Sequence, residues 1–174
     1  MMWNDERARR PAGAFAFWGM LPRRALYAGL VSFAAVTGLL LGLGRRAGTM
    51  WRPLNAAAHL VIGDRADNVW NFQQGVTPTG GLVVLVLSMM AGFAAACATP
   101  SRRTSYIVLA AASVAIAGYL LHVHVIARTP GGLAALLTVG ELRALYVTLG
   151  VALAVGIRLA LLPWEQDAGA GVVL

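Results

Sequence analysis

Ala25-Leu-Tyr-Ala-Gly-Leu-Val-Ser-Phe-Ala-Ala-Val-Thr-Gly-Leu-Leu-Leu-Gly-Leu-Gly44 is a run of twenty residues without a charge, set between Arg23-Arg24 and Arg45-Arg46. As a helix, about 20 residues measure about 30 Å, the thickness of a bilayer's hydrocarbon core. The run predicts a membrane span. Three further apolar runs follow, so the spans are placed at residues 25–44, 82–98, 106–127 and 145–162. The fold class is all-α: an integral membrane four-helix bundle with a short interfacial helix between spans 1 and 2. Residues 1–24 read as a cytoplasmic or interfacial N-terminal segment. There Phe15, Phe17 and Trp18 anchor at headgroup level and Pro22 closes the run. Residues 163–174 read as a mobile C-terminal tail.

Composition agrees with the spans. Of the 174 residues, 59% are hydrophobic and 12% charged, against about 25% charged in an ordinary soluble domain. The basic side chains are all arginine, and the net charge is +7. These arginines flank apolar runs and form no aromatic-interleaved patch. They fit the lipid bilayer as partner, with anionic headgroups, and not nucleic acid. Cys97 is the sole cysteine, so no internal disulfide staples the fold.

Orientation follows from the arginines. With both termini in the cytoplasm, the inner side holds eight arginines and the outer side six, and the short Arg102-Arg103 loop lies inside. The expected topology is therefore multi-pass, with both ends cytoplasmic. Small residues recur every four positions in each span: Ala34, Gly38 and Gly42; Gly92 and Ala96; Ser113 and Ala117; Gly150 and Ala154. Such stripes let helices approach closely in lipid, and they are expected to line the bundle's contacts.

The longest polar connection, residues 45–79, carries Trp51-Arg-Pro-Leu-Asn-Ala-Ala-Ala-His-Leu-Val-Ile-Gly-Asp-Arg-Ala66. Pro53 suits a first helical turn. Asn55, His59, Ile62 and Ala66 then fall within about 60° of one another on the helix. The plain reading is a surface helix whose Asn55 and His59 bond nearby backbone; the helix over Pro53 to Ala66 is further expected to pack on the outer ends of the spans, where both side chains can bond free carbonyls. The sharper reading makes them a ligand or metal site. Thr77-Pro-Thr-Gly-Gly81 reads as a turn into the second span.

His122 and His124 are the other candidates. Two residues apart on a helix point about 200° from each other, so one ion would need His59 as partner to one of them. Asp64 and Asp67 read as loop caps, and Glu141 and Arg143 as boundary charges. Gly42-Leu-Gly-Arg-Arg-Ala47 matches a dinucleotide fingerprint in letters only, because no strand precedes it. No phosphate loop, nucleophile elbow or paired-cysteine motif is present. A pore would need polar groups facing it, and Ser32, Thr37, Ser88 and Ser113 are the candidates at depth.

Two stretches resemble a family of uncharacterised small bacterial four-span inner-membrane proteins. Pro53-Leu-Asn-Ala-Ala-Ala-His59 with Gly63-Asp64 and Ala66 is similar to that family's Pro-Leu/Ile-Asn-Ala-x-x-His motif after the first span. His124-Val-Ile-Ala-Arg-Thr-Pro-Gly131, followed by Leu145-Tyr146, looks like its segment between the last two spans. Where relatives place histidines at the start of the second span, this chain has Thr77 to Gly81. The resemblance implies the four-span architecture and no activity.

The expectation is thus a multi-pass membrane protein without catalytic residues or cofactor, serving as a structural, accessory or interaction subunit, with a homo-oligomer or membrane protein as partner. The alternatives are a small transporter or channel-like unit, and a membrane metal or haem binder using His59 with His122 or His124.

Overall fold

The computed structural model describes residues 12–128 and 131–162, with side chains from residue 20 onward; the tail at 163–174 lies outside them. Among the described residues the chain is all helical. The order is α1 (Ala12–Arg46), α2 (Arg52–Ile62), α3 (Thr77–Cys97), α4 (Thr104–His124), α5 (Gly132–Leu136) and α6 (Val139–Ala160), with 3₁₀ turns at Gly63–Ala66 and Ile126–Arg128. Segments of α1, α3, α4 and α6 are long and apolar enough to cross a membrane. The 21 residues of α3 correspond to about 31 Å of helix, close to the hydrocarbon thickness. Large apolar side chains such as Leu30, Leu109, Ile116, Val147 and Val151 stand exposed along these helices. So much apolar surface belongs in lipid, not in water.

α1 packs along both α3 and α6, and α6 packs along α4. α3 and α4 touch only over a short stretch, although a tight loop joins them. The four spans therefore form a ring with one loose seam. α2 and α5 lie at the same end of the bundle and contact each other. α2 completes the core there, where Leu54 and Ala57 meet Val36, Leu40, Val84, Leu142 and Leu145.

Several boundaries differ from the sequence reading. α1 continues through Pro22. A proline removes one helical hydrogen bond but keeps a helical φ, so a helix with good turns on both sides passes through it. α3 starts at Thr77 and not after Gly81. Pro78 costs no hydrogen bond in a first turn. Gly80 is the point where α2 crosses: a Cβ there would overlap the Leu54 carbonyl. Thr77–Gly81 is thus helix chosen for close approach. α6 begins at Val139 because Thr138 and Glu141 form a capping box, in which Thr138 Oγ1 accepts from Glu141 N at 3.3 Å and Thr138 N donates to Glu141 Oε2 at 2.9 Å. Glu141 is a capping residue and not a mere boundary charge.

The small-residue stripes divide. Ala34, Gly38 and Gly42 are exposed, and a Cβ at Gly38 or Gly42 would meet nothing. Ser113 and Ala117 are exposed too. The close contacts lie at Gly92, where a Cβ would sit 2.5 Å from Gly29 N, and at Gly156, where one would sit 2.5 Å from Ala28 Cα. Gly150 faces Ala115 on α4. Arg24 departs from its expected role as a flanking charge. It is buried and donates from Nη1 to Thr99 O at 3.2 Å, just past the end of α3, where helix carbonyls lack partners.

Candidate functional site

Asn55 is fully buried, and its amide is completely used. Nδ2 donates to Val69 O at 2.9 Å and to Asn71 O at 3.0 Å, and Oδ1 accepts from Thr77 Oγ1 at 2.6 Å. Thr77 Oγ1 in turn accepts from Gln73 N at 3.1 Å. The expected burial of Asn55 holds, but its partners differ. It bonds the connecting loop and the first residue of α3, not free carbonyls at the ends of α1 or α4. Asn55 is a structural pin that holds residues 69–77 against α2.

His59 lies one turn further along α2. The helix stops at Ile62, where Gly63 adopts φ 59°, and the chain folds back through the 3₁₀ turn. That reversal brings Asp67 to the imidazole: His59 Nδ1 donates to Asp67 Oδ1 at 3.0 Å. Asp67 Oδ1 also accepts from Gly132 N at 3.4 Å, so it joins α2 to α5. The backbone comes so close that a Cβ on Gly131, at φ 103°, would lie 2.5 Å from His59 Cε1. Donation from Nδ1 to a carboxylate leaves Nε2 of the neutral ring as an acceptor. Ligand atoms of His59, Asp64 and Asp67 all lie within 4.8 Å of one another. One imidazole and two carboxylates are donors that suit a divalent cation. Asp64 and Asp67 are thus more than the loop caps expected from sequence, and the helix expected to reach Ala66 ends at Ile62. Treating Gly63 as a helix stop would have predicted the fold-back.

His122 is buried on α4, and its Nδ1 lies 3.0 Å from Tyr146 Oη on α6. The rings of His122 and Tyr146 meet edge to face with centroids 5.9 Å apart. His122 Nε2 is buried without a partner. His124, at the end of α4, is exposed. Among the described residues, neither His122 nor His124 belongs to a group of three metal-ligating side chains. The role of Tyr146 depends on the α4–α6 contact, which periodicity does not reveal.

These groups meet at a cavity of about 440 Å³ in the loose seam between α3 and α4. Val36 and Leu40 of α1 form its back, Leu87 and Ala91 of α3 and Ala117 and Leu121 of α4 its sides, and α2 and α5 its roof. His59, His122 and Tyr146 are its titratable lining residues, and Ser88 adds a hydroxyl. Leu87, Met90 and Leu121 line it and are also exposed on the outer surface, so its mouth faces the lipid side. The volume falls in the range of small-molecule sites, roughly 300–1,000 Å³. A search of family models, of curated proteins and of solved structures gives no match.

Proposed function

We propose that the chain is a multi-pass protein of a bacterial inner membrane, with both termini cytoplasmic, that works by binding and not by catalysis. It is an accessory unit that holds a lipid-soluble small molecule in the seam between α3 and α4. The observation that carries this reading is the cavity itself: apolar walls, a mouth on the lipid side, and polar groups gathered at one end beneath α2 and α5. An apolar pocket with a few convergent polar groups is the usual form of a small-molecule site. The outward stripe of Ala34, Gly38 and Gly42 leaves α1 free to meet a second copy or another membrane protein.

Mass spectrometry of the protein purified in mild detergent tests the reading. The wild type should carry a bound small molecule, and Ala91→Trp, which fills the cavity from α3, should not. A wild type that carries nothing, and is stabilised by no lipid-soluble compound, would refute it.

A second reading rests on His59, Asp64 and Asp67, whose ligand atoms converge: the roof takes a divalent cation. Metal analysis after dialysis against zinc or manganese, compared with Asp67→Asn, tests it. Equal metal content in both proteins would count against it.

A further inference from the structure

We propose that the cavity takes an amphiphile whose head is uncharged and carries a carbonyl oxygen, with the head beneath the α2–α5 roof and the tail running down between α3 and α4. This rests on the binding role proposed above and specifies the ligand.

Orientation comes first. His59, on α2, forms part of the roof, and His122 lies near the last turn of α4, both at the same end of the bundle. Away from that end the lining is Leu87, Ala91, Ala94 and Val114 with the hydroxyl of Ser88. A tail fits there and a polar head does not, because a polar group loses about 1–3 kcal/mol when buried without a partner. Entry from the lipid side follows from the exposure of Leu87, Met90 and Leu121 at the mouth.

Charge comes next. Among the described residues, no arginine and no carboxylate lines this cavity, although the chain contains 14 arginines. Asp67, the nearest acidic group in the roof cluster, is already bound to His59 and Gly132 N. A phosphate, carboxylate or ammonium head would be desolvated there with no counter-charge, which is far costlier than burying a neutral head.

The hydrogen bond names the functional group. The only hydrogen-bond partner of the Tyr146 hydroxyl among the described residues is His122 Nδ1. The direction of that bond depends on the ring tautomer; the tautomer that gives the phenol proton an acceptor has Tyr146 donating to Nδ1. The proton of the neutral imidazole then sits on Nε2. That N–H is buried in the cavity wall with nothing to bond. A buried donor without an acceptor is costly, and a ligand carbonyl supplies what it lacks. Isoprenoid quinones and neutral glycerolipids share this head chemistry.

The experiment uses the full chain in phosphatidylcholine nanodiscs, read by thermal melting and by quenching of tryptophan fluorescence. The probes are decyl-benzoquinone, monodecanoylglycerol, decanoate and decylbenzene. One or both of the first two should bind, and which one does distinguishes a quinone from a glycerolipid as the source. Decanoate, which is charged, and decylbenzene, which has no acceptor, should bind at least tenfold more weakly, as expected for a stranded charge or a lost buried hydrogen bond. His122→Phe should lower affinity for the carbonyl probe about tenfold, and His122→Gln, which keeps an N–H, should retain most of it. Equal binding of decylbenzene and decyl-benzoquinone overturns the assignment of the head, and needs no variant to fold. In that case loss of both probes in Ala91→Trp leaves the cavity's binding role standing. Binding of none of the probes overturns both the ligand class and that role.

Discussion

Replacing Asn55 by alanine removes the one side chain that ties α2, the 69–77 loop and the start of α3 together. Three hydrogen bonds go at once, to Val69 O, Asn71 O and from Thr77 Oγ1. At about 1 kcal/mol net for each, the simple sum is about 3 kcal/mol. The three losses are not equivalent. Asn71 is exposed and Val69 half-buried, so their carbonyls can turn to water once released. Thr77 is buried, and its hydroxyl has no route to solvent. The expected loss is therefore about 2–3 kcal/mol, placed mainly at the α2–α3 junction. Unfolding in a graded series of denaturing detergent, followed by helical circular dichroism, gives the magnitude. Hydrogen exchange gives the place: amides of residues 67–77 should lose protection while those in the middle of α6 keep it. Asn55→Asp should be at least as damaging, because a carboxylate cannot donate to the two loop carbonyls and sets a buried negative charge against them. A change below about 0.5 kcal/mol for Asn55→Ala would mean that the loop is held by something other than this amide.

Three further predictions follow from the packing and the charges. Gly80→Val should destabilise strongly, since its side chain enters the Leu54 carbonyl, whereas Gly38→Leu should be nearly silent because the space beside it is open; detergent melting of both checks the assignment, and the reverse order would refute it. Thr138→Ala should cost about 1 kcal/mol by opening the capping box, with local exchange at residues 139–142 as the readout. A reporter fused after Leu174 should behave as cytoplasmic, and neutralising Arg102 and Arg103 should erode that orientation by leaving six arginines on each side; an outward-facing reporter in the unmodified protein would invert the topology.

The family resemblance carried by Pro53 to Ala66 stands on its residues alone. It has a physical reading all the same. Pro53 starts α2, Asn55 pins the following loop, His59 bonds Asp67, and Gly63 turns the chain so that this bond forms. Each residue type has a task in the local fold, which explains the pattern without requiring an activity.

By itself the sequence determined how many helices are apolar enough to cross a membrane and roughly where they lie. Length and apolarity over residues 25–44, 82–98, 106–127 and 145–162, with Arg158 near the end of the last run as their one formal charge, are properties of single segments, read without knowing their neighbours. It also placed a helix from about Pro53 with Asn55 turned inward, because proline, one amide and an apolar arc are local signals, but it ran that helix to Ala66, where the structure ends it at Ile62. Which faces meet was decided only by the tertiary structure. In lipid, buried and bilayer-facing positions are both apolar, so periodicity does not separate them. Gly38 and Gly92 look alike in sequence, yet the first faces open space and the second lies against Gly29. The pairing of His122 with Tyr146, the return of Asp67 to His59 and the loose α3–α4 seam belong to the same class. Each depends on the placement of two or more segments, and no local preference of either segment specifies that placement.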